Sequence, residues 1–178
     1  MRVTVFGGSS PKPGELAYHN ALRLGELLAT AGHTVLNGGY QGTMEAISQG
    51  ANQVGGTVIG VTCVQIEAWR PVKPNPWITE EMHCETQRQR LFALIDNSEA
   101  AIALPGGIGT LAEIAEMWSN MQTGAIPNRP LILVGPEWRE VFERFYNLLD
   151  GYIPEKYRRL LVFASDVEQA VTRLEDLA

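Results

Sequence analysis

Three short apolar runs in this chain each stop abruptly at glycine and lead into a helix-forming stretch, a pattern that few folds accommodate. Val3–Phe6 stops at Gly7-Gly8-Ser9-Ser10-Pro11, His33–Leu36 at Asn37-Gly38-Gly39, and Ala100–Leu104 at Pro105-Gly106-Gly107-Ile108-Gly109. Short apolar runs bounded by turn residues suit buried strands. The stretches that follow read as helices. They are Glu15–Ala31, with Leu22, Leu24, Leu27 and Leu28 near helical spacing, then Thr43–Val54, stopped by Gly55-Gly56, and Thr110–Met121. Gly32 suits the C′ position of the first of them. Further strands are expected at Thr57–Val61, Pro130–Val134 and Leu161–Phe163, and further helices at Glu81–Asn97, Trp138–Leu149 and Asp166–Leu177, the last with Asp166 as N-cap. Residues 62–80 are less regular, with Pro71, Pro74 and Pro76 between Trp69 and Trp77, and the Trp69–Trp77 stretch reads as a loop, either a lid or plain surface. Alternating strands and helices predict an α/β fold, a single Rossmann-like domain over residues 1–178 with a mostly parallel sheet covered on both faces. Such sheets hold ligands beyond the carboxyl ends of their strands. Three glycine turns at that edge suggest a nucleotide-sized cleft.

Composition narrows the ligand. The 178 residues carry 14 basic and 20 acidic side chains, a net charge of −6. That balance argues against nucleic acid, whose binding rests on neutralising phosphates with Lys and Arg, yet a small phosphate needs only a local site. No apolar run approaches the ~20 residues that span a bilayer, and no basic n-region with an apolar stretch opens the chain, so a cytoplasmic protein with no membrane partner is expected. Cys63 and Cys84 lack zinc-ligand spacing and are expected as reduced thiols. His19, His33 and His83 are scattered and read as structural, so no metal site is expected. The first strand is followed by Gly-Gly-Ser-Ser rather than the spaced glycines of a dinucleotide fingerprint, and the GxxxxGK[ST] loop and the serine motif GxSxG are missing.

A strand, a glycine turn and a helix start together form an anion site, because the first helical N–H groups are unpaired and the helix dipole favours negative charge. Pro105, Gly106, Gly107, Ile108, Gly109 and Thr110 have this form, and Thr110 adds a hydroxyl. Gly39, Gly42 and Thr43 form a second such turn with Glu45 just inside its helix, and Gly8 and Ser9 belong to a third. Each has a plainer reading as turn chemistry alone. Glu113, three residues after Thr110 on the expected first helical turn, either flanks an anion held at the turn or completes a Thr-x-x-Glu capping box. Arg88 and Arg90 either face a phosphate or carboxylate, or decorate a solvated helix face.

Pro105–Glu113 reads PGGIGTLAE and resembles the PGGxGTxxE signature of the Lonely Guy family, long mislabelled as lysine decarboxylases. The resemblance extends from the Gly7–Ser10 turn through Gly42-Thr43-Met44 to about Gly124. It implies hydrolysis of the N-glycosidic bond of a nucleoside 5′-monophosphate, of the AMP or cytokinin riboside type, to base and ribose 5-phosphate. It also implies no cofactor, and a homodimer or an assembly of dimers. Carried over by position, Arg90, eight residues before Ser98, and Glu113 are catalytic, and Gly107, Gly109 and Thr110 bind phosphate. Met117, Trp118 and Met121 read either as part of the dimer interface or as core. Plant-type members carry Met-His-x-Arg-Lys before the arginine-bearing turn and Gly-Leu-Met-Gly in the second turn. Here Met82-His83 is displaced, and Gly42-Thr43-Met44-Glu45 resembles bacterial members and the molybdenum cofactor carrier proteins, departures that bear on the base accepted. The alternative function is therefore a non-catalytic nucleotide or molybdenum cofactor carrier. A pyridoxal phosphate decarboxylase would need a Schiff-base lysine, and Lys12, Lys73 and Lys156 all lie outside the glycine turns.

Overall fold

The computed structural model describes residues 1–177. Seven strands form one fully parallel sheet: β1 (Arg2–Phe6), β2 (Thr34–Asn37), β3 (Val58–Cys63), β4 (Glu80–Cys84), β5 (Ala100–Ala103), β6 (Leu131–Val134) and β7 (Val162–Ala164), in the order β4-β3-β2-β1-β5-β6-β7. The helices between them are α1 (Leu16–Thr30), α2 (Thr43–Gln53), α3 (Val64–Trp69), α4 (Gln87–Asp96), α5 (Ile108–Thr123), α6 (Pro136–Leu148), α7 (Glu155–Arg158) and α8 (Val167–Leu177). Parallel pairing buries both sheet faces, which is why β3, β5 and β6 are apolar or small throughout rather than alternating. Val3 and Val5 of β1 join the core under α1, α2 and α8, while Phe6 joins the core under α4, α5 and α6. The strand order reverses between β1 and β5, so the turns after Phe6 and Leu104 flank the switch point where such sheets open a crevice.

Local signals place most of these elements. Gly32, at φ +79°, ends α1 in the left-handed conformation, with its amide on Ala29 O and that of His33 on Leu28 O, both at 3.0 Å, which is a Schellman motif. Asp166 caps α8 as expected, accepting from the Gln169 amide at 2.8 Å. Met117, Trp118 and Met121 are buried among α5, α6 and the sheet, and belong to the core. Both cysteines are free thiols, with Cys63 beside Cys84 in the β3–β4 register.

The expected helix over Glu81–Asn97 is a correction. Glu80–Cys84 is an edge strand, and the helix starts only at Gln87, behind a capping box in which Thr86 and Gln89 satisfy each other's amides. The segment pairs with β3 in parallel register, and its burial alternates accordingly: Met82 and Cys84 are partly buried, while Glu81 and His83 are exposed. Residues 62–80 also differ from a plain loop, since β3 runs on to Cys63 and the short α3 follows directly.

Helices α1 and α2 touch backbone to backbone through two glycines. A Cβ on Gly25 would strike Ile47 O, and one on Gly50 would strike Leu22 O. Helix propensity alone favours alanine over glycine by about 1 kcal/mol, whereas overpacking a tight contact costs about 1–3 kcal/mol or more. Backbone has little room to yield, so packing should win. Gly50→Ala is expected to lose about 2 kcal/mol net and to melt roughly 4–8 °C lower. A melting temperature equal to or above that of the unmodified protein would show that α1 and α2 do not need this approach.

Candidate active site

The three glycine turns stack on one another at the carboxyl edge of the sheet. The Gly8 amide reaches Pro105 O at 3.4 Å, and Gly8 O accepts both the Thr43 amide at 3.0 Å and the Thr43 hydroxyl at 2.9 Å. Gly42, at φ +75°, lies so close to the Ser9 backbone that a side chain would collide with it. The first residue of α2, Thr43, is therefore already partnered by the first turn.

The start of α5 is different. Gly107 is its N-cap and makes no side-chain cap, and Leu111 is the first residue whose amide is satisfied within the helix, donating to Gly107 O at 3.0 Å. The amides of Ile108, Gly109 and Thr110 lie outside that ladder. A Cβ on Gly107 or Gly109 would meet no atom within 4 Å, so the turn borders open space. The helix begins two residues earlier than its expected start at Thr110. Glu113 thus lies on the second helical turn rather than the first, and the Thr110–Glu113 capping box is replaced by an uncapped glycine start. Donors without partners at a helix N-terminus make an anion site.

A cleft of about 350 Å³ opens over this turn, within the range of small-molecule sites. It brings together Gly8, Ser9, Arg90, Gly107, Ile108, Gly109, Thr110 and Glu113 of the expected site, and adds Tyr40, Met44, Ile66, Trp69, Arg70 and Gln87. Pro105 and Thr43 line a separate cavity with Leu104, Val134 and Gly135. Gly39, Gly42, Glu45 and Gly106 lie outside the cleft lining. Gly39, at φ +73°, donates to Asn37 Oδ1 at 2.8 Å and shapes the second turn. Gly106 has no room for a side chain, since a Cβ there would strike the Thr110 hydroxyl. Glu45 lies toward α1, where its charge, after burial, helps raise the pKa of the Tyr18 phenol. Arg88 is exposed and lies over the Phe92 ring. A larger groove of about 650 Å³ beside Gly124, Asn128 and Tyr157 holds Lys156 but no carboxylate.

Arg90 is buried and braced. Its Nε donates to Val61 O at 2.7 Å and its Nη2 to Gly38 O at 3.0 Å, with the guanidinium 5.6 Å from the centre of the Tyr40 ring. Gly38 must be glycine for this, because a Cβ would occupy the place of Nη2. The Tyr40 hydroxyl accepts from the Cys63 amide at 2.7 Å and lies 3.1 Å from Glu67, and burial pushes its pKa up to about 12, so it stays neutral. Burial is also the main influence on Glu113, raising its carboxyl to about 7, with the Arg90 charge pulling the other way. A carboxylate held near neutrality beside a fixed cation is suited to proton transfer or to stabilising developing positive charge.

Sequence reasoning named Trp69 only within a loop read as lid or plain surface, and missed Ile66 and Arg70 as further lining of the cleft. Ile66, Trp69 and Arg70 come from α3 and its end, and six residues without a buried position leave no helical stripe to read. The polar anchor beneath it was equally invisible. Asn75 donates to Tyr40 O at 3.0 Å and its amide to Gly39 O at 2.8 Å, which pins the proline-rich segment onto the second turn.

The fold and cleft define an α/β protein with an open glycine turn and unpaired helix-start amides at the switch point of a parallel sheet. The sequence model of a family described as "Possible lysine decarboxylase" matches residues 44–174, and the chain belongs to that family. It is 31% identical to a probable cytokinin riboside 5′-monophosphate phosphoribohydrolase of Oryza sativa, over 98% of this chain and 78% of that protein. It is 30% identical to a cytokinin riboside 5′-monophosphate phosphoribohydrolase of Mycobacterium tuberculosis, over 95% of this chain and 90% of that one. Among solved structures, the molybdenum cofactor binding protein of Rippkaea orientalis superposes with a TM-score of 0.77 at 25% identity, covering 98% of this chain and 95% of that chain. None of the described helices is long and apolar enough to cross a membrane, and the described residues contain no group of His, Cys, Asp and Glu able to hold a metal.

Proposed function

We propose that this protein hydrolyses the N-glycosidic bond of a nucleoside 5′-monophosphate, releasing the base and ribose 5-phosphate. The observation that carries the reading is the placement of Glu113, with its carboxyl raised to about 7, in one cleft with the open Gly107–Thr110 turn and the braced Arg90. The amides and hydroxyl of the turn hold the 5′-phosphate. Binding energy from that remote group orients the ribose. As the C1′–N bond breaks, positive charge builds on the sugar, and the Glu113 carboxylate stabilises it and takes a proton from the water that attacks C1′. The leaving base takes its proton from solvent. Arg90 fixes the field around Glu113. The chain acts as one domain and works as a dimer or an assembly of dimers, in line with its family.

A carrier reading draws on one specific observation, the likeness to the molybdenum cofactor binding protein of Rippkaea orientalis. In that reading the turn holds a ligand and no bond breaks. Incubation with a panel of nucleoside 5′-monophosphates, including AMP and an N6-prenylated AMP, with free base followed by chromatography, separates the two. Base release is the expected result. Retained binding without release from any of them would favour the carrier.

A further inference from the structure

We propose that Arg70 is the cation that reads the ligand's phosphate, and so sets the preference for phosphorylated over unphosphorylated nucleosides. The inference rests on the reading above and adds a residue to it. Arg70 lies at the C-terminal end of α3, its amide held on Ile66 O at 2.9 Å, and lines the cleft together with the Gly107–Thr110 turn. Its Nη1 reaches the hydroxyl of Ser9, on the first glycine turn, only at 3.5 Å, and its Nε is buried with no partner among the described residues.

The two arginines of the cleft therefore differ in kind. Arg90 has Nε and Nη2 engaged by backbone carbonyls and is part of the frame. Arg70 has one long bond and one orphaned donor. A guanidinium offers five N–H groups and no acceptor, and a buried donor of a charged group left without a partner is costly. An oxyanion in the cleft would meet the Nη groups, of which only Nη1 has a partner among the described residues, and the planar fork matches phosphate geometry. The α5 amides would meet the phosphate from one side and Arg70 from another. Trp69, 79% exposed and itself lining the cleft, has its ring centre 5.7 Å from the Arg70 guanidinium, so an aromatic side chain stands beside this cation.

The test is equilibrium binding of AMP and adenosine by calorimetry in a Glu113→Gln background, where turnover does not interfere. Arg70→Met is expected to weaken AMP by about 10–100-fold, the worth of a hydrogen bond to a charged group, and to leave adenosine within about twofold. Arg70→Lys, which keeps the charge and loses the fork, is expected between them, and it answers the question if Arg70→Met does not fold. AMP affinity unchanged in both variants, or AMP and adenosine weakened by the same factor, would overturn the proposal, as would an Arg70-intact protein that binds neither AMP nor inorganic phosphate. Base release by the unmodified protein is scored separately. Its failure beside an intact Arg70 effect removes the hydrolase reading and leaves the phosphate-reading role standing.

Discussion

Replacing Glu113 with Gln is expected to slow base release by about 10²–10⁴-fold, the range for a positioned acid–base group, while AMP binding stays within a few-fold. The amide keeps the shape of the carboxylate but carries no charge and accepts no proton. The pH profile sharpens the test. The Glu113 carboxyl is raised to about 7, chiefly by burial, and the proposed chemistry needs it ionised. kcat/KM should therefore climb as pH rises through about 7 and level off above it, since that ratio reports the free enzyme. Stability runs the opposite way. Between the ordinary value of 4.5 and about 7 the folded protein binds the proton more tightly than the unfolded chain, so stability falls as pH rises across that window. Glu113→Gln should accordingly be more stable than the unmodified protein at pH 8 and no more stable at pH 4. Near-normal turnover in this variant would remove Glu113 from the mechanism, and a flat stability difference with pH would remove the buried-carboxyl account.

Arg90→Met is the second large effect, and it should strike both stability and rate. Without the guanidinium, Val61 O and Gly38 O lose their donors, and a buried acceptor left unsatisfied costs about 1–3 kcal/mol. The pair amounts to roughly 2–6 kcal/mol, or a melting temperature lower by several degrees or more. The same change removes the positive charge that holds down the Glu113 pKa, so residual activity should show its acidic limb shifted to higher pH. Arg90→Lys keeps the charge without the fork and should shift that limb less. Rate loss with an unmoved limb and an unmoved melting temperature would mean that Arg90 acts by direct ligand contact instead. The three residues that matter, Gly38, Val61 and Arg90, sit on separate elements, so Gly38→Ala should reproduce part of the Arg90 defect without touching a charge.

The sequence by itself determined the strand–glycine–helix alternation and the parallel class of the sheet, and it offered Gly107–Thr110 as one of three candidate turns with Glu113 just beyond it; Arg90 came from the family resemblance. Those signals are local. A positive-φ turn, an apolar run or a helix start is written in a few contiguous residues, and the PGGIGTLAE stretch carries both the glycine turn and the Glu113 carboxylate. Tertiary structure alone decided which turn stays open and which is closed. The Thr43 amide and hydroxyl both meet Gly8 O, 35 residues away, and nothing near Thr43 encodes that meeting. Glu80–Cys84 became a strand because β3 offered it an edge in register from Ile59 to Cys63, where local pattern over four or five residues does not separate strand from helix. Arg90 finds Gly38 across 52 residues and Arg70 finds Ser9 across 61, distances along the chain that only the sheet order collapses. A side chain's identity is local, but its partners, burial and hence its pKa belong to the fold.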